Sequence, residues 1–163
     1  VMTPIVASRL SWRLGYAVGP ASLLEPMGLL NDLIYVCAPT PLQHGVEAAF
    51  GMDDQYFDDL LADYRERRSL MCNTLQDIGF DAPFPDGAYY AMANFEELSA
   101  HMDGFDNAQR ASQTLIEEAG VAAVPGPSFF ENPADGQYYL RFCFAKEMEV
   151  LEQACQQLTD AFG

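Results

Sequence analysis

A chain of 163 residues, half of them hydrophobic and 20% charged, can bury a core and is sized for one domain, or for one domain with part of another. Its 24 acidic residues against 8 basic ones give a net charge of −16, which argues against nucleic acid and anionic membranes as partners, because phosphates need a basic patch. Cys37, Cys72, Cys143 and Cys155 are widely spaced, with no C-x-x-C pair and only two histidines in the chain. That spacing favours free, mostly buried thiols over a metal centre or a disulfide scaffold.

No apolar run approaches the length of a membrane span. The opening residues carry no charged n-region and no A-x-A site, so no secretory signal is expected and the cytosol is the expected compartment.

In chain order, Leu14, Tyr16 and Val18 alternate with Gly15, Ala17 and Gly19, which predicts a short strand packed closely on both faces. Gly19-Pro20 ends it. Arg13 stands at its head, and burying an arginine is costly unless an anion meets it. The residues alone leave an anion ligand and a buried ion pair both open for Arg13. Leu23, Leu24, Met27 and Leu30 predict a helix over 21–30, weakened by Pro26 and Gly28, with a less regular segment over 31–37. Thr40 and Pro41 are read as cap and first residue of a helix over 42–50, with Val46, Ala49 and Phe50 inward.

The strongest helix covers 55–78, with Tyr56, Leu60, Leu61, Tyr64, Leu70, Met71 and Leu75 as its apolar stripe and Gly79 as its stop. Arg65, Arg67 and Arg68 fall on its outer face, where Asp59 and Asp63 are natural ion-pair partners. A turn at Pro85-Asp86-Gly87 precedes a strand over 88–92. A helix over 108–119 turns Ala111, Leu115 and Ile116 inward and stops at Gly120. Residues 121–124 read as a buried strand closed by Pro125-Gly126-Pro127. In the strand over 138–144, Tyr139, Arg141 and Cys143 share one face, opposite Leu140 and Phe142. A last helix covers 146–162. The order helix, strand, helix, strand, strand, helix after the helix over 42–50 is an α+β layer, a small sheet covered by helices. Taken alone, Arg141 is either a carboxylate ligand or a snorkelled, ion-paired structural residue.

Several blocks, in order, resemble one family. Trp12-Arg13-Leu14-Gly15-Tyr16 with Gly19-Pro20, then Cys37-Ala38-Pro39 with Pro41-Leu42-Gln43, then Pro85 with Gly87-Ala88-Tyr89-Tyr90, match its pattern. So do Gly120-Val121 with Pro125-Gly126 and Phe129, and Gly136 with Leu140-Arg141-Phe142 and Phe144-Ala145. They resemble the class I/II aminotransferases that use pyridoxal 5′-phosphate (PLP), of the aspartate aminotransferase-like fold type I, over residues 8–163.

The resemblance implies the C-terminal small domain of such an enzyme at 55–163, an interdomain linker helix at 37–54 and a remnant of the large cofactor domain at 1–36. It implies amino transfer between an amino acid and a 2-oxo acid, in a homodimer. Arg13 would bind the cofactor phosphate and Arg141 the substrate α-carboxylate. Thr40 and the Pro41-Leu42-Gln43 segment would lie near a partner subunit's site. Trp12, Tyr16 and Tyr89 are read as packing residues, His44 as a helix residue and His101 as a loop residue, and no metal ligands are expected.

One departure matters. Eight residues before Arg13, where the family carries its Schiff-base lysine, stands Ile5, and the only lysine of the chain is Lys146, outside that motif. That lysine holds the cofactor and later moves the α-proton, so no catalytic residue is assigned and the chain by itself is expected to be inactive. Residues 1–7 lack the family's S-x-[ST]-K-x-[FY] pattern, which suggests a truncated or junction-damaged reading frame. Three rival readings remain: a stand-alone binding or dimerisation domain, a related carbon–sulfur lyase, and the cofactor-sensing half of a transcription regulator.

Overall fold

The computed structural model describes residues 14–163, so Ile5, Trp12 and Arg13 lie outside the described residues. The chain divides into two compact units, Val1–Tyr56 and Phe57–Gly163.

In the first unit, α1 runs Ala21–Tyr35 and α2 runs Thr40–Ala49. The helix predicted to end at residue 30 therefore continues through Asn31–Tyr35. Pro26 sits inside it, and lacking an N–H it leaves the Ser22 carbonyl without an intrahelical donor in an exposed turn, where water can serve. Val36, at φ 71°, breaks the helical path, and its N–H closes onto Asn31 and Asp32. Residues 14–20 form no strand. A strand persists only where its backbone finds a ladder partner, and the described residues offer this segment none. At α2 the cap position is Pro39, so Thr40 is the first helical residue and its side chain caps nothing. Phe50 was expected inward; it is 64% exposed and meets the Tyr16 ring edge-on at 5.5 Å.

The second unit holds all but the first three residues of α3, Asp54–Asp77, and adds β1 (Tyr90–Asn94), α4 (Ala108–Ala119), β2 (Val124–Pro125), β3 (Tyr139–Cys143) and α5 (Met148–Phe162). The three strands form one antiparallel sheet in the order β1-β3-β2, so β3 is central. Alternation along β1 and β3 buries Ala91, Ala93, Leu140 and Phe142 on one face. Those residues join Leu75, Leu115, Leu151 and Leu158 from the helices, and Phe80 sits at the centre with edge-on contacts to Phe95, Phe105 and Phe142.

The helix ends explain themselves locally. Gly79, at φ 97°, lets the chain reverse after α3, so that the Phe80 N–H donates to the Leu75 carbonyl at 2.9 Å. Asn107 caps α4 by accepting from the Arg110 N–H at 3.0 Å, and Gly120, at φ 67°, ends it.

The observed elements differ from the predicted ones in four places. Ala88 has φ 61°, which no strand residue adopts, so β1 starts at Tyr90. Only Val124 and Pro125 ladder in β2. Val121 and Ala123 are buried without a strand partner, and Pro125 offers no N–H to extend the ladder. Ile116 is 52% exposed, because the buried stripe of α4 runs through Ala108, Ala111, Ser112 and Leu115. The first turns of α3 are also more exposed than the stripe suggested, with Leu61 at 52%.

Candidate carboxylate site on the open face of the sheet

The face of the sheet opposite the core carries Tyr90, Met92, Tyr139, Arg141 and Cys143, all partly exposed. Arg141 lies in the middle of it, since Met92 of β1 and Val124 of β2 are its register partners on either side.

The guanidinium is held between two rings. Its central carbon is 4.1 Å from the centroid of Tyr90 and 4.3 Å from that of Phe129. Both contacts use the π-face attraction for a cation, which strengthens as water is excluded. Two rings thus lie against the guanidinium. Among the described residues the buried Arg141 Nε has no hydrogen-bond partner, and no carboxylate lies within ion-pair distance of Arg141. Such a donor is costly to leave unmet. Two parallel N–H bonds to a carboxylate are the arrangement that satisfies it.

Tyr90 does not supply the missing charge. A hydrogen bond with Tyr89 pushes its phenol above the ordinary range, aided by burial, and this outweighs the opposing pull of Arg141. Tyr90 therefore acts through a neutral ring.

Phe129 reaches Arg141 from outside the sheet, on the 3₁₀ turn Gly126–Phe129. That turn packs against the turn Pro133–Gly136 through two glycines. A β-carbon on Gly126 would lie 2.5 Å from the Gly136 carbonyl oxygen and 2.7 Å from Tyr139 Cβ. Phe130 continues the contact, its ring 5.2 Å from that of Tyr139.

The other candidates fall elsewhere. Lys146 is exposed beyond the end of β3. Thr40 opens α2, and His44 is an exposed helix residue 3.2 Å from Glu47; His101 is exposed. Tyr16 packs on Phe50 and Tyr89 on Tyr90, as packing residues would. Arg67 pairs with Asp63 at 3.6 Å, the partner expected along the helix, and Arg68 donates to the Pro85 carbonyl at 2.9 Å. Sequence reasoning gave Tyr90 and Phe129 no part in holding Arg141. The signal was there in the Pro125-Gly126-x-x-Phe129 spacing, but its meaning depends on how the chain folds back over the sheet.

An antiparallel sheet covered by helices on one face, with an arginine on the open face of its central strand, defines a layer of an α+β protein. Residues 10–158 match the model of the aminotransferase class I and II family, and the chain belongs to that family. It is 34% identical over 157 residues to a probable aspartate aminotransferase of Methanocaldococcus jannaschii, covering 93% of this chain and 39% of that protein.

Among solved structures it resembles N-succinyldiaminopimelate aminotransferase from Mycobacterium tuberculosis, with TM-score 0.80 and 27% identity over 92% of this chain and 38% of that one. An aromatic aminotransferase from Pyrococcus horikoshii gives TM-score 0.77 at 25% identity, with 93% and 39% covered. The fold is that of the fold type I aminotransferases. The chain spans under two fifths of the length of these relatives.

The family in general depends on PLP. The described residues do not fit that cofactor. Its aldehyde needs an amine, and the one lysine, Lys146, is exposed past the strand end rather than set in a polar cradle. Among the described residues no cluster of metal-ligating side chains occurs, and no helix is long and apolar enough to cross a membrane.

Proposed function

We propose that this chain is the carboxylate-holding part of a PLP-dependent aminotransferase that moves an amino group between an amino acid and a 2-oxo acid. The observation that carries this reading is Arg141, set against two rings on the open face of the sheet with no carboxylate beside it among the described residues; Arg67 and Arg68 also have a buried, unmet Nε, but they reach Asp63 and the Pro85 carbonyl. On this reading, Arg141 grips the α-carboxylate and sets its orientation, while Arg13 holds the cofactor phosphate. Residues 1–36 belong to the large domain, 37–54 to the linker and 55–163 to the small domain, and the working protein is a cytoplasmic homodimer.

Ile5 occupies the position of the cofactor-binding lysine, so the chain as it stands binds a carboxylate and does not complete amino transfer. The self-contained core of the second unit favours one alternative, a binding module that folds without chemistry.

The test is a titration of the chain with pyruvate and with acetate, read by nitrogen-15 NMR at the Arg141 Nε–H. A saturable shift in the wild type, with the accompanying shifts of the Tyr139–Cys143 backbone amides lost in Arg141→Lys, supports carboxylate binding. The absence of any shift overturns it. Sustained 2-oxo acid formation from an amino donor with added PLP would overturn the claim of inactivity.

A further inference from the structure

We infer that Phe129 is a positioning residue for the carboxylate site, which locks the plane of the Arg141 guanidinium from outside the sheet. This rests on the carboxylate reading of Arg141 given above.

The two stacking rings differ in how they are held. Tyr90 belongs to β1, laddered to β3, and its ring packs on Tyr89 at 4.5 Å. Its position is therefore fixed by the sheet. Phe129 is 43% exposed and contributes nothing to the hydrophobic core. An exposed phenylalanine is common, but this one sits 4.3 Å from a guanidinium that a second ring, Tyr90, also touches at 4.1 Å.

The turn that carries Phe129 is also fixed with unusual care for a surface segment. Gly126 and Gly136 pack backbone to backbone, and Phe130 stacks beside Tyr139. The Ser128 Oγ donates weakly to the Pro125 carbonyl, at 3.4 Å.

The consequence is geometric. With Tyr90 alone, the guanidinium could swing away from the strand about its last torsions, since no hydrogen bond holds its Nε. With Phe129 as a second ring contact the guanidinium is held in one plane, and its N–H edge stays aimed for two parallel bonds. A planar pair of donors loses much of its advantage when the plane is free.

The experiment uses the full chain and nitrogen-15 NMR of the Arg141 side chain, with pyruvate as the carboxylate probe. In the wild type the Nη signals should be resolved, reporting slow rotation of the guanidinium. Phe129→Ala should average them and weaken pyruvate binding about fivefold, the size of one partly desolvated cation–π contact. Phe129→Tyr should restore both, and Phe129→Leu, which keeps apolar bulk without a ring face, should not. Unchanged core methyl signals in Phe129→Ala show that the fold persists.

Resolved Nη signals in Phe129→Ala would overturn the proposal, and so would full rescue by Phe129→Leu. Loss of the resolved signals in Phe129→Ala, in a chain whose wild type ignores pyruvate, would support the positioning role and remove the carboxylate reading instead.

Discussion

Gly126 and Gly136 approach so closely that a β-carbon on either would strike the other's backbone, at 2.5 Å from the Gly136 oxygen in one direction and 2.7 Å from the Gly126 carbonyl carbon in the other. Two short surface turns are thereby packed at a spacing that only glycine permits. The turn that bears Phe129 is one of them.

Gly126→Ala should therefore cost about 1–3 kcal/mol, the range for forcing a methyl into filled space. Gly87→Ala is the matched control, because nothing lies within 4 Å of its added β-carbon. Urea melts of the two variants check this. Equal stability of both would mean that the turns can move apart freely.

The second unit has its own core, and the helices of the first unit bury none of their residues. Phe142→Ala removes a ring that is 1% exposed and packs at 88° to Phe80, so it should lose about 3–5 kcal/mol. Ile34→Ser changes a residue that is 82% exposed and should stay within about 0.5 kcal/mol of the wild type. Denaturation followed by near-ultraviolet circular dichroism separates the two. A large loss in Ile34→Ser would show that α1 is covered in solution.

Burial pushes the Cys72 and Cys155 thiols above their ordinary value of 9.0, against smaller opposing effects from Arg68 and Thr74 respectively. In the unfolded chain these thiols lose their protons first. Their stabilising contribution is thus complete below that ordinary value and is lost as pH climbs through the raised folded values. Urea melts between pH 8 and 10 should fall more steeply for the wild type than for the double variant Cys72→Ala with Cys155→Ala. A thiol reagent at pH 8 should label exposed Cys37 first and reach Cys72 and Cys155 only on unfolding. Identical slopes, or rapid labelling of all four cysteines, would contradict this.

The helices of the second unit were legible because their signals are local. Gly79 and Gly120 stop α3 and α4 through left-handed backbone that glycine adopts without strain, and the stripe of apolar residues fixes each buried face. The face assignment in β3 was legible for the same reason, since alternation alone sets Arg141 opposite Leu140 and Phe142. The strand expected over 14–18 was not recoverable this way, because strand formation depends on a partner that no local pattern encodes. The positive φ of Ala88, which delays β1 to Tyr90, is likewise a matter of how the chain enters the sheet.

By itself, then, the sequence determined the family, the order of elements and the candidate arginine, because motif spacing and periodicity are properties of the chain. Only the tertiary structure decided what surrounds that arginine. Tyr90, Phe129 and Arg141 lie far apart along the chain and meet because β1 and β3 pair and the turn after β2 folds over the sheet. Whether a guanidinium is paired, solvated or stacked with an unmet donor depends on those long-range contacts, and the short-range pattern around Arg141 is compatible with all three.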